Sequence, residues 1–243
     1  MKPAEFWEAL NHDRERVLAL IKETFEPIAA EAHILGSVAR GNPDPYSDLD
    51  IWITFKDEEF VSVMEKRIEL FEKVGNILRV IEPHQNAPIN GIFSAVIYRT
   101  EDRLLSVDFY LCPESSSFIT NESKNLFGND SLMQMGTLGL NPQDAVLTKE
   151  YNIDFCSGFL FGAIKKLVRH DENPLEGLRR EYRYLKDRYD IPVKEIGIIS
   201  DTFEGLYQIA ENIKEVANDR QKNFIEEVEK FAKLVEQYEK SGN

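Results

Sequence analysis

Cysteine, histidine and tryptophan are scarce in this chain: 243 residues contain 2, 4 and 2 of them. Cys112 and Cys156 stand far apart, with no C-x-x-C spacing, which excludes a secreted disulfide scaffold and points to a reducing compartment. Both sit among apolar neighbours, as inert buried thiols do. His12, His33, His84 and His170 show no metal-ligand spacing. Long apolar runs are also missing: no stretch approaches the roughly 20 residues of a membrane span. The opening MKPAEFWEALNHDRER carries neither an apolar core nor a small-residue cleavage pattern. A cytoplasmic protein with no membrane partner is the expectation. Positive charge is the last shortage. Against 43 acidic residues stand 29 Lys and Arg, a net charge of −14. That balance repels nucleic-acid backbones and favours metal ions and cationic small molecules as partners.

The apolar fraction of 42% and charged fraction of 30% suit a folded chain long enough for one large domain or two ordinary ones. Apolar residues at three- and four-residue steps predict a helix from Ala4 to about Ala32, with Pro27 kinking or ending it. A second amphipathic helix should start at Lys56–Glu59 and stop near Gly75. Strand-like runs follow at Ile77–Glu82, Gly91–Arg99 and Leu104–Cys112, the last two joined by a hairpin turn at Thr100–Arg103. From Pro113 to about Lys149 the periodicity lapses in favour of Ser, Asn, Gly and Pro, which reads as a linker or an irregular segment beside a site. Beyond it the pattern is helical throughout. Asn173-Pro174 suggests a cap and first-turn proline, Ile191-Pro192 a break, and Asp201–Glu204 a capping box. The fold class expected is α+β: a mixed sheet flanked by helices, then a C-terminal helical bundle of about four members. Residues 1–120 should form the first domain, 121–150 a linker and 151–243 the second.

The stretch Ile34 to Phe55, ILGSVARGNPDPYSDLDIWITF, carries the chemistry. Side chains alternate along a strand, so Asp48 and Asp50 share one face while Leu49, Ile51 and Ile53 share the other. Two carboxylates on one face make a hard-oxygen site suited to Mg²⁺. A third, Asp108, interrupts the apolar strand around it, and a lone buried acid there is costly unless paired or metal-bound. Gly36-Ser37 falls where a strand gives way to a turn or short helix, a place where backbone N–H groups attract phosphate; Arg40 adds a guanidinium. The Walker spacing G-x-x-x-x-G-K-[ST] is absent, which removes a P-loop ATPase. Two weaker clusters remain. Lys165, Lys166 and Arg169 share a helix. The run from Arg179 to Tyr189 interleaves bases with aromatics, a pattern better explained by a core-facing stripe flanked by charges.

G-S-x-A-R-G followed by S-D-L-D-I resembles the nucleotidyltransferase superfamily of the DNA polymerase β type. Within it the layout is similar to the aminoglycoside and lincosamide adenylyltransferases of antibiotic resistance. The resemblance is specific over Ile34–Phe55, extends to Asp108, and is loose beyond. It implies that Gly36 and Ser37 bind the phosphates of the nucleotide; Arg40, Ser47 and Lys165 are further nucleotide-binding candidates, Lys165 with a solvated basic face as the alternative. It further implies that Asp48, Asp50 and Asp108 hold Mg²⁺ and carry catalysis. The reaction implied moves a nucleoside monophosphate, AMP from ATP, to a hydroxyl of a small cationic acceptor. Asp108 or Glu82 would take the hydroxyl proton. Such relatives often pair as homodimers. A protein-adenylylating enzyme, an RNA-directed nucleotidyltransferase and a non-catalytic nucleotide-binding relative share the same pattern.

Overall fold

The computed structural model describes residues 3–135, 148–189 and 199–242, and the chain divides into two compact units, Ala4–Ala145 and Val146–Asn243. The first unit opens with helix α1 (Pro3–Phe25), which buries Phe6, Leu10, Val17, Ile21 and Phe25 along one stripe. It ends two residues before Pro27, earlier than expected. Ala32 lies instead in strand β1 (Glu31–Leu35). A single short turn of helix, α2 (Gly36–Ala39), and a loop lead into β2 (Leu49–Phe55). Helix α3 (Asp57–Val74) follows, with Asp57, Glu58 and Glu59 in its first turn and Lys73 in its last, the arrangement the helix dipole favours.

Strands β3 (Asn76–Ile81), β4 (Ile92–Thr100) and β5 (Arg103–Pro113) then form the meander. Thr100 pairs with Arg103 across a two-residue turn, in which Glu101 takes φ 61°. The stretch expected to be a linker contributes further strands. These are β6 (Phe118–Thr120), β7 (Lys124–Phe127) and β8 (Met133–Met135). β7 joins the edge of the main sheet, whose order is β3-β4-β5-β2-β1-β7, and β6 pairs with β8. Residues 136–147, the remainder of that stretch up to its last two positions, lie outside the described residues.

One face of the main sheet is core. Ile51, Ile53, Val107 and Phe109 pack there against Ile21 and Phe25 of α1 and Phe71 and Val74 of α3. The Phe71 and Phe109 rings stack at 4.6 Å. A buried ion pair, Arg103 Nε to Asp13 Oδ2 at 2.7 Å, fastens α1 to the hairpin, and the Thr100 hydroxyl donates to the same oxygen. The opposite face carries Trp52, Thr54, Tyr110 and Cys112, with Asp50 and Asp108 in the same rows.

The second unit is helical: α4 (Lys149–Val168), α5 (Glu176–Tyr189), α6 (Phe203–Val216) and α7 (Asp219–Gly242). Thr148 caps α4 by accepting from the Tyr151 N–H. Asn173 takes φ 53°, and α5 begins at Glu176, after Pro174. The cap of α6 is Thr202, accepting from Gly205 N–H, so no acid completes a capping box; Asp201 accepts from Leu175 N–H instead. On α5, Leu178, Tyr182 and Leu185 are buried, while Arg180, Arg183 and Arg188 face outward. The mixed run from Arg179 to Tyr189 is thus an amphipathic helix. α5 ends just before the Ile191-Pro192 break, which itself falls outside the described residues. Among the described residues, no helix is long and apolar enough to cross a membrane.

Candidate active site

Strand pairing assembles the site. β1 and β2 run antiparallel, which sets Leu35 opposite Asp50 and brings the start of α2 beside the start of β2. β2 and β5 run parallel, with Asp50 level with Asp108 and Trp52 with Tyr110. Partners in register share a face, so Asp50 and Asp108 stand side by side on adjacent strands. Asp48 lies just before β2. All three are partly buried.

Tyr110 records their convergence. Its phenol is pushed well above the ordinary tyrosine range, first by burial and then by the charges of Asp108, Asp50 and Asp48. One hydroxyl thus feels all three carboxylates. The Tyr110 ring lies on Trp52 at 5.6 Å, nearly parallel, and against Phe93 at 4.9 Å. These rings make a stiff floor beside the acids.

Gly36 explains itself at atomic scale. It takes φ 64°, a region open to glycine, and a Cβ there would lie 2.3 Å from Oδ2 of Asp50. The Asp50 carboxylate therefore rests against the backbone of the Gly36-Ser37 turn. No side chain caps the amino end of α2.

The other expected residues are placed as follows. Arg40 closes α2 and pairs with Glu122 at 3.2 Å on the surface. Ser47 is 3% exposed, and its hydroxyl accepts from Asp44 N–H, so it is engaged in the turn. Lys165 belongs to the helical unit, buried on α4 with its ammonium 4.9 Å from the Phe161 ring centre. Glu82 accepts two hydrogen bonds from Arg67, at 2.7 and 2.9 Å, and one from the Ser94 hydroxyl. Ser94 is level with Phe109, so that carboxylate is held on the helix-covered face, away from Asp108.

Whether Mg²⁺ fits these residues is decided by the donor set. Among the described residues, no three or more His, Cys, Asp and Glu side chains close around a point as a metal cage would. Mg²⁺ does not ask for such a cage: it binds through one or two carboxylates, waters and the phosphates of its substrate. Hard oxygens from adjacent strands, with one resting on a phosphate-binding type of turn, meet that requirement.

Two contributors escape the motif. Tyr110 is visible in sequence only as an alternate residue of an apolar strand. Arg14, on α1, reaches the turn before Asp48, although in sequence it reads as part of a solvated helix face.

The site is thus a pair of strand carboxylates beside a Gly-Ser turn, set in an α+β unit built on a mixed sheet. Residues 14–117 match the family described as "Nucleotidyltransferase domain". A solved structure from Sulfolobus solfataricus, provisionally described as a nucleotidyltransferase, shares 19% identity. The match covers 51% of this chain and 91% of that one at a TM-score of 0.28, too shallow a superposition to add more. No curated protein gives a significant match.

Proposed function

We propose that this protein is a Mg²⁺-dependent nucleotidyltransferase that moves AMP from ATP to a hydroxyl of a small, cationic acceptor. One observation carries the reading: Asp50 is level with Asp108 across β2 and β5 while its carboxylate rests against Gly36. On this reading the oxygens that would ligate the metal lie against the turn that would bind phosphate. Asp48, Asp50 and Asp108 would hold Mg²⁺, which when bound offsets phosphate charge.

The chain's own residues supply the rest. The Gly36-Ser37 turn orients the triphosphate through backbone N–H groups and the Ser37 hydroxyl, and Arg40 exchanges Glu122 for a phosphate oxygen. Asp108 accepts the proton of the attacking hydroxyl at a carboxylate oxygen. The new bond joins the acceptor's hydroxyl oxygen to the α-phosphorus as the bond to pyrophosphate breaks, and catalysis is mostly positioning and charge complementarity. The occupied carboxylate of Glu82 supports Asp108 as the base.

For the acceptor, the net charge of −14 favours a cation, and the motif resemblance favours an aminoglycoside or lincosamide. Full-length protein is incubated with Mg²⁺, each α-labelled nucleoside triphosphate, and a panel of those compounds, alongside tRNA and a protein lysate. Label from ATP should appear on a small hydroxyl compound. Transfer to tRNA or protein alone removes the small-molecule acceptor, and no transfer to anything removes the enzymatic reading.

A further inference from the structure

We propose that Arg14 is a positioning residue for the carboxylate site, holding Asp48 in place by clasping the turn that precedes it. This deepens the reading of the site as a metal–nucleotide centre and rests on it. Arg14 is 6% exposed on α1. Its Nη1 donates to the Asp44 carbonyl at 2.9 Å and to the Ser47 carbonyl at 3.0 Å, and its Nη2 donates to Oδ1 of Asn11. The guanidinium thus bridges the first and last residues of a four-residue turn whose next residue is Asp48.

The turn is tightened from within as well. Ser47 N–H donates to the Asp44 carbonyl, Asp44 N–H donates to the Ser47 hydroxyl, and Tyr46 N–H donates to the Asp44 side chain. Tyr46 in turn packs edge-on against Trp7 at 5.0 Å. Trp7, Asn11 and Arg14 are spaced four and three apart, so one stripe of α1 faces this turn while Phe6, Leu10 and Val17 face the core.

Arginine is costly for mere adhesion. Burial works against its charge, and the carboxylates of Asp44, Glu15 and Asp48 act in the opposite direction. The hydrogen-bond acceptors are neutral oxygens, so the cation remains available at longer range to Asp48. Attachment of α1 is already served by Asp13 and Arg103. The clasp therefore fixes where Asp48 enters β2, and its charge moderates repulsion among three carboxylates before any metal arrives.

The full-length protein, Arg14→Met, Arg14→Lys and Asn11→Ala are compared in two ways. Mn²⁺ binding in the presence of ATP is titrated by electron paramagnetic resonance, and amide exchange is followed in the peptide spanning residues 42–50. For Arg14→Met the Mn²⁺ dissociation constant should rise about 10- to 100-fold, the range for groups that orient metal ligands. Exchange at residues 44–48 should accelerate. Arg14→Lys, keeping the charge but not the fork, should fall between it and wild type, and Asn11→Ala should shift both readouts in the same sense. A folded Arg14→Met with unchanged Mn²⁺ affinity overturns the proposal. If that variant does not fold, unchanged affinity in both Arg14→Lys and Asn11→Ala does so. Wild-type protein that binds no Mn²⁺ with nucleotide overturns the metal–nucleotide reading itself, and this proposal with it.

Discussion

Gly36 and Gly41 both take positive φ, at 64° and 73°, but only Gly36 faces a functional group. A Cβ at Gly41 meets nothing within 4 Å, whereas one at Gly36 strikes the Asp50 carboxylate. Gly41→Ala should therefore cost only the left-handed strain of about 1–2 kcal/mol and leave turnover intact. Gly36→Ala adds displacement of Asp50, so turnover should fall by about 100-fold, as for loss of a preorganised charged group. Steady-state kinetics beside denaturant titration separates the two; equal turnover in both variants sinks the assignment of Gly36 to the site. Glycine here was legible in sequence as a turn, but its reason was not. The close approach of Asp50 depends on β1 and β2 lying antiparallel with Leu35 opposite Asp50. Arg14 was illegible for a related reason: charge on a helix reads as solvent-facing until a loop distant in sequence folds over it.

Short strands show where local pattern gives out. The meander β3-β4-β5 follows from runs of alternating or apolar residues, and its hairpin from the polar Thr100–Arg103 interruption. β6, β7 and β8 span three to four residues each in a Ser- and Asn-rich segment, too short for periodicity to register. Tertiary anchors hold that segment in place. The Ser117 hydroxyl meets the Trp52 indole N–H at 2.7 Å, the Thr54 hydroxyl at 2.6 Å and the Cys112 sulfur at 3.3 Å. Farther along, Ser131 donates twice to the buried Glu31 carboxylate. Ser117→Ala leaves a buried indole N–H without its acceptor and should cost about 1–3 kcal/mol in urea denaturation. Trp52 fluorescence should shift with it; an unchanged midpoint would show that this anchor contributes nothing. Helix boundaries carried the same lesson: the α6 cap fell on Thr202 because Asp201 was already engaged by Leu175 N–H.

Across the molecule, each compact unit owns one buried thiol, Cys112 in the first and Cys156 in the second. Burial pushes the Cys112 thiol up from 9.0 to about 12 and raises that of Cys156 as well. Both therefore stay protonated and shielded at pH 8, and native protein should resist thiol reagents that label it fully in denaturant. A raised folded value means stability that is complete below the unfolded value and lost as pH climbs towards the folded one. For Cys112 that window runs from 9.0 to about 12. Peptide mapping of labelled Cys112 and Cys156 along a urea gradient should report the two units individually. Rapid native labelling at pH 8 would contradict the burial.

Within the six-stranded sheet, β2 and β5 form the one parallel pair among the described strands, and α3, β3 and β4 come between them in the chain. A contact so remote in sequence closes late, after the local hairpin has formed. The repulsion between Asp50 and Asp108 is therefore met late in sheet assembly, as a brake on folding. Asp108→Asn should refold faster than wild type in metal-free buffer and resist denaturant better, an order that Mg²⁺ with nucleotide should reverse. In stopped-flow refolding, an Asp108→Asn variant no faster than wild type would show that the two acids do not strain the sheet. A slower fold is what the charged site costs this sheet.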